Sequence, residues 1–138
     1  VEEPWAGRGL EVLVHALSPQ EATLDLGGVA TVAGAVPVRV TVRNNTARAV
    51  SIDPARIDLA PAGASASGPL AGRELERALA PGAAGDRVRT QPLRAGRVAA
   101  HTTATGYLVY PPGAYREARV SIEDVETGES EGFVIPVE

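Results

Sequence analysis

Val36-Pro37-Val38-Arg39-Val40-Thr41-Val42-Arg43 places a valine at every second position, with Pro, Arg, Thr and Arg between them. A strand turns alternate side chains to opposite faces, so this run predicts a strand with one buried valine face and one wetted face. Asn44-Asn45-Thr46 follows and supplies turn chemistry, because Asn tolerates left-handed backbone angles and bonds to its own turn. Asn44 and Asn45 are therefore expected to be structural. Alternation restarts at Val50 and Ile52 and continues beyond Pro54 at Ile57 and Leu59. A second clean run, Ala118-Arg119-Val120-Ser121-Ile122, leads through Glu126-Thr127-Gly128-Glu129 to Phe133, Ile135 and Val137. Two alternating runs around a Thr-Gly turn predict a β-hairpin. Pro136, in the last run from Gly132 to Val137, suits an edge strand, where no amide donor is needed.

Outward from these runs the strand signal weakens. Shorter strands are expected at Leu10 to Leu17, Ala22 to Leu26, Arg87 to Thr90, Val98 to Thr102 and Gly106 to Tyr110. Only Arg73-Glu74-Leu75-Glu76-Arg77-Ala78-Leu79 has a helical pattern, with Leu75 and Leu79 four apart and Pro81-Gly82 as its stop. Ala60 to Pro69 is Ala, Gly, Ser and Pro, hence a loop, and no long repeat interrupts the chain. Short strands, frequent turns and one helical crossing indicate an antiparallel β-sandwich.

The chain has 138 residues, 44% of them apolar, which suits one domain with one core. Residues 1–9 have no strand or helix period and are expected to be a tether, with 10–138 as a single domain. The formal net charge of -4 argues against nucleic acid as a partner, since phosphate binding needs a basic excess. Cysteine is absent, which removes disulfides, Cys-ligated zinc, iron–sulfur clusters and thiol catalysis. No apolar stretch approaches the roughly 20 residues of a membrane span. All 13 basic residues are arginine, a usage that fits a GC-rich bacterial genome. A start at Val1 with no methionine leads us to expect a processed or trimmed product, and a tether of this kind is what would follow a cleaved signal or a lipidated cysteine.

Tyr110-Pro111-Pro112-Gly113-Ala114-Tyr115 stands just before the strand from Ala118. A Pro-Gly-x-Tyr run at this place resembles the tyrosine corner of immunoglobulin-like and fibronectin-III-like sandwiches, where the phenol bonds back to backbone. The valine strand ending in an Asn turn, and the run from Thr103 to Pro111, also look like bacterial immunoglobulin-like envelope domains of the DUF4352/telokin-like kind. The resemblance implies a Greek-key immunoglobulin-like β-sandwich with one short helix in a crossover loop. It gives structural roles to Tyr115 and Gly113 and carries no chemistry.

Chemistry-bearing residues are few. His15 and His101 have no Gly-x-Ser-x-Gly elbow to serve, and they are expected at the surface or at strand edges, so no catalytic residue is assigned and no enzyme is expected. The run Glu123-Asp124-Val125-Glu126-Thr127-Gly128-Glu129-Ser130-Glu131 holds five acids and no base. Calcium takes such oxygens, but the spacing is not that of an EF-hand and a solvated hairpin turn explains it, so no metal or other cofactor is assigned. Arg87, Arg89, Arg94 and Arg97 form a basic stretch with only Asp86 beside it, and strand alternation would put Arg87 and Arg89 on one outward face. This stretch, together with Trp5 in the tether and Glu126, Glu129 and Glu131 in the hairpin, is the expected partner-binding set.

The function expected is a non-enzymatic protein–protein interaction domain of a bacterial cell-envelope assembly. It would be exported to the periplasm, the outer membrane or the outside of the cell. Edge-strand pairing and charge complementarity would bind another envelope protein or further copies of the chain. One alternative is a structural subunit that self-assembles into a surface filament or layer. Another is a carbohydrate or small-ligand module, for which Trp5, Tyr107, Tyr110, Tyr115 and Phe133 are the available aromatics.

Overall fold

The computed structural model describes residues 10–28, 30–32, 34–61 and 65–137. In chain order the elements are β1 (Leu10–Ala16), α1 (Pro19–Leu26), β2 (Val36–Asn44), β3 (Val50–Ala60), α2 (Gly72–Ala78), α3 (Ala83–Thr90), β4 (Gly96–Val98), β5 (Thr102–Tyr110), β6 (Glu117–Asp124) and β7 (Ser130–Pro136). They form two antiparallel sheets, of order β1-β2-β5 and β4-β3-β6-β7. The tether and its Trp5 lie outside the described residues. Among the described residues no helix is long and apolar enough to cross a membrane.

The valine strand behaves as its period requires. Val38, Val40 and Val42 are fully buried, while Arg39 and Thr41 are half-buried and Arg43 is exposed. Opposite them across the core stand Ile52, Ile57 and Leu59 of β3, Ala118, Val120 and Ile122 of β6, and Phe133 of β7. Burying each of these larger side chains is worth about 1.5–3 kcal/mol, so the period-2 pattern itself selects the two-sheet packing. The hairpin β6–β7 forms in unbroken register from Glu117↔Pro136 to Glu123↔Ser130.

β3 carries an interruption. It pairs with β6 at Val50–Ile52 and again at Ile57–Ala60, with Asp53, Pro54, Ala55 and Arg56 looped out between. Pro54 has no amide to give the ladder, so this is where it belongs in a central strand. Where pairing resumes, Tyr110 reaches across from β5 and donates its hydroxyl to the Ile57 carbonyl at 2.5 Å. Tyr110 is fully buried, and that burial pushes its phenol well above the ordinary range. Tyr115 packs edge-on against it, 5.9 Å between centroids, and donates its own hydroxyl to the Pro111 carbonyl. Gly113 lies beneath the Tyr115 ring, where a Cβ would come 3.3 Å from Cζ.

Among the described residues three helices are present where one was expected. The Ala22 to Leu26 segment is α1, not a strand. Ser18 accepts from the Glu21 amide and Glu21 accepts from the Ser18 amide, a capping box that starts the helix. Ala22 and Leu26 then share the buried face, while Leu24 is 85% exposed. The Arg87 to Thr90 segment likewise lies in α3, where Ala84 and Val88 are the buried pair four apart. Leu17, Ala22, Leu26, Leu79, Ala84 and Val88 form a second core with Val109 of β5, so the helices pack beside the outward face of the three-stranded sheet.

α1 is also tied to that sheet by a His15–Glu21 hydrogen bond and an Arg39–Asp25 ion pair. The Ser18 amide, then the His15 side chain, hold the Glu21 carboxyl at about 2, below its usual 4.5. A lowered carboxyl stabilises the fold above its unfolded value and loses that contribution as pH falls from 4.5 toward 2. Thermal midpoints of the native chain and of Glu21→Gln should therefore converge across that acid window. Curves that stay parallel down to pH 2 would remove Glu21 from the acid response.

Candidate functional site

The β2–β3, β4–β5 and β6–β7 loops meet at one end of the molecule, and one side chain joins the first two. Asn44 is fully buried, and its Nδ2 donates to the carbonyls of Arg48 at 2.8 Å, Val98 at 3.1 Å and Ala99 at 3.2 Å. Its Oδ1 accepts from the Thr46 amide at 3.0 Å and the Thr46 hydroxyl at 2.6 Å. Asn45 is exposed beside it.

Arg48 answers the acidic hairpin from within the chain. Its guanidinium reaches the buried Asp124 at 3.0 Å and Glu126 at 3.4 Å. Burial alone would push the Asp124 carboxyl up, but Arg48 and the amides of Glu126 and Thr127 outweigh it and hold it below the usual range. Asp124 above all, then Glu126 and Glu129, raise the guanidinium in turn. A guanidinium therefore stands where a cation would sit among these acids. A cavity of about 370 Å³ opens beside it, lined by Asn45, Thr46, Arg48, Val50, His101 and Asp124. His101 is exposed and holds a left-handed φ of 58°, a conformation His adopts more readily than most residues.

The basic stretch is not one face of a strand. Arg87 and Arg89 lie on the exposed side of α3, and both are engaged: Arg87 donates to the Asp25 carbonyl, and Arg89 pairs with Glu76 at 3.1 Å and Asp86 at 2.5 Å. Arg94 precedes β4 and Arg97 lies within it; both are exposed, with no ion pair among the described residues. The four arginines thus divide between a helix, the segment before β4 and a short edge strand because α3 replaces the expected strand.

The hairpin's other acids are open. Glu123, Glu129 and Glu131 form no ion pair among the described residues. They gather at the start of β7, since Glu123 pairs with Ser130 in the ladder. β7 is the outermost strand of its sheet, and its hydrogen-bond phase follows from its two ends. The Val137 amide bonds the Arg116 carbonyl at 3.0 Å, and the Asp124 amide bonds the Glu129 carbonyl at 2.8 Å. Antiparallel pairs alternate between bonded and unbonded, so Ile135, Phe133 and Glu131 turn their backbone groups to β6. Ser130, Gly132, Val134 and Pro136 turn theirs to the free side. Pro136, the residue without an amide, falls in that outward set, and Val134 is 64% exposed. Beyond it Val137 bridges Val14 of β1, which closes the far end of this edge.

No family model matches this chain, and no curated protein matches it in sequence. Of the other outer strands, β1 is bridged at Val14 alone among the described residues, to Val137 just after β7, while β4 and β5 are blunted. β4 is three residues long. The outer side of β5 is covered by Gln91 to Leu93, through bonds from the Tyr107 amide to the Gln91 carbonyl and from the Leu93 amide to the Tyr107 carbonyl. Natural sheets cover or shorten edges in this way to avoid unwanted pairing, which makes an open one informative. Tyr110 and Phe133 are buried and Tyr107 and Tyr115 half-buried, so the described residues offer no open aromatic platform for a sugar.

Proposed function

We propose that this chain is an immunoglobulin-like protein-interaction module of a bacterial cell-envelope assembly, acting outside the cytoplasm and without catalysis. The pairing of β2 with β5 and of β3 with β6 supports a Greek-key path, because each joins strands that are not neighbours in the chain. Tyr115, placed just before β6 and bonded to the Pro111 carbonyl four residues upstream, supports a tyrosine corner. An arginine-only set of basic residues supports a GC-rich bacterial source. The observation that carries the interaction reading is the free edge of β7, with the outward backbone groups of Ser130, Gly132 and Val134 beside an exposed valine. Such an edge accepts an extended segment by main-chain pairing.

A photo-cross-linking amino acid at Val134, and another at the exposed Leu24 as control, tests the reading in native cells. One envelope protein joined at Val134 and absent at Leu24 is the expected result. Adducts only between copies of the chain would replace the reading with a self-assembling subunit. Equal labelling at both positions would end it.

A further inference from the structure

Resting on the β7 reading, we infer that the partner segment is an extended strand running antiparallel to β7, apolar in its first half and basic in its second. Antiparallel addition continues the alternation of the sheet, and antiparallel pairing is slightly the more stable per residue. The direction then fixes which end of the incoming strand meets which end of β7. Its first residues lie against Val134 and Ile135, the one exposed on the outer face and the other half-buried beside the core. Its last residues lie against Ser130 and Glu131, where Glu129 and Glu131 stand without ion pairs. Cross-strand neighbours sit about 5 Å apart at Cβ and opposite charges there attract, so a cationic side chain is favoured at that end and an acidic one is repelled. Glu126 adds little to this field because Arg48 already neutralises it. The incoming strand also ends in a defined place: Pro136 offers no amide, so three residues of β7, Ser130, Gly132 and Val134, supply both donor and acceptor.

The test uses the whole chain and three fluorescent seven-residue peptides: Val-Thr-Ile-Thr-Arg-Thr-Arg, its reversed sequence, and the version with Glu in place of Arg. Fluorescence anisotropy should show the first binding at least tenfold more tightly than either of the others, with affinity falling as salt rises. Glu129→Arg with Glu131→Arg should reverse the preference between the Arg and Glu peptides. Gly132→Pro should abolish binding while leaving the thermal midpoint close to native, because that amide serves no partner in the β6 ladder. Equal binding of all three peptides, or of none, would overturn the inference. A partner cross-linked at Val134 alongside either of those outcomes would leave the edge reading standing and remove only the charge and direction.

Discussion

Asn44→Asp should cost the fold about 3–5 kcal/mol at pH 7, the scale expected for an uncompensated buried charge. The substitution keeps the shape of the side chain and changes one atom that matters. Where Nδ2 donates to three carbonyls at 2.8, 3.1 and 3.2 Å, an oxygen would face those same three oxygens in a site closed to water. Ionised, it meets repulsion from each; protonated, it has a single O–H for three acceptors. The folded state therefore holds its proton more tightly than the unfolded chain does. Stability is fully present below the ordinary carboxylate value of about 3.9 and is lost as pH rises from there through the raised folded value. Chemical denaturation of Asn44→Asp at pH 7 and pH 4 should show partial recovery at the lower value. Asn44→Ala, which leaves the carbonyls unsatisfied without adding charge, should cost less at pH 7, about 1–3 kcal/mol. Asn44→Asp within about 0.5 kcal/mol of native at pH 7, the range of an ordinary surface substitution, would mean that the three-carbonyl cage does not exist in solution.

Asn44 also marks how far the sequence could be followed. Its place at the end of a valine strand and before a turn was legible, because period 2 and turn chemistry are both local. Its bonds to Val98 and Ala99 were not, since they join residues 54 and 55 positions away. Arg48 and Asp124 are farther apart still, 76 positions, so the acids of the hairpin looked unopposed. The helices α1 and α3 were missed for a different reason. Ala22, Leu24 and Leu26 alternate as a strand does, yet Ala22 and Leu26 are also one helical turn apart. Over five residues the two periods cannot be separated, and the Ser18-x-x-Glu21 capping box was the signal that decided for helix. Arg87 to Thr90 is shorter still, and only Ala84 with Val88, read together, would have placed it on a helix. Pro136 was informative in the opposite sense: a missing amide is a local fact with a topological meaning, and it pointed to the edge where β7 lies.

Gly106→Ala should be as damaging as the buried charge, for steric reasons. The segment from Gln91 to Leu93 crosses the side of β5 on its way from α3 to β4, and it crosses at Gly106. A Cβ there would lie 2.3 Å from the Leu93 nitrogen, 2.4 Å from its Cα and 2.7 Å from the Pro92 carbonyl carbon. All three atoms are backbone, so no side-chain rotation relieves the overlap, and the segment must lift. Lifting breaks the Leu93–Tyr107 bond at 3.1 Å and the Tyr107–Gln91 bond at 3.0 Å, and it draws Leu93 out of the core, where it is 5% exposed. Loss of a buried leucine costs about 2–5 kcal/mol and each backbone bond about 1 kcal/mol, against a total stability of about 5–15 kcal/mol for a domain. Urea denaturation of Gly106→Ala, Leu93→Ala and the double variant separates this route from general damage. If the methyl group expels Leu93, adding Leu93→Ala to Gly106→Ala should cost little more, and the double variant should fall well short of the sum. Fully additive losses would mean that the strain is absorbed elsewhere in β5, and a near-native Gly106→Ala would mean that the crossing segment does not rest on this glycine.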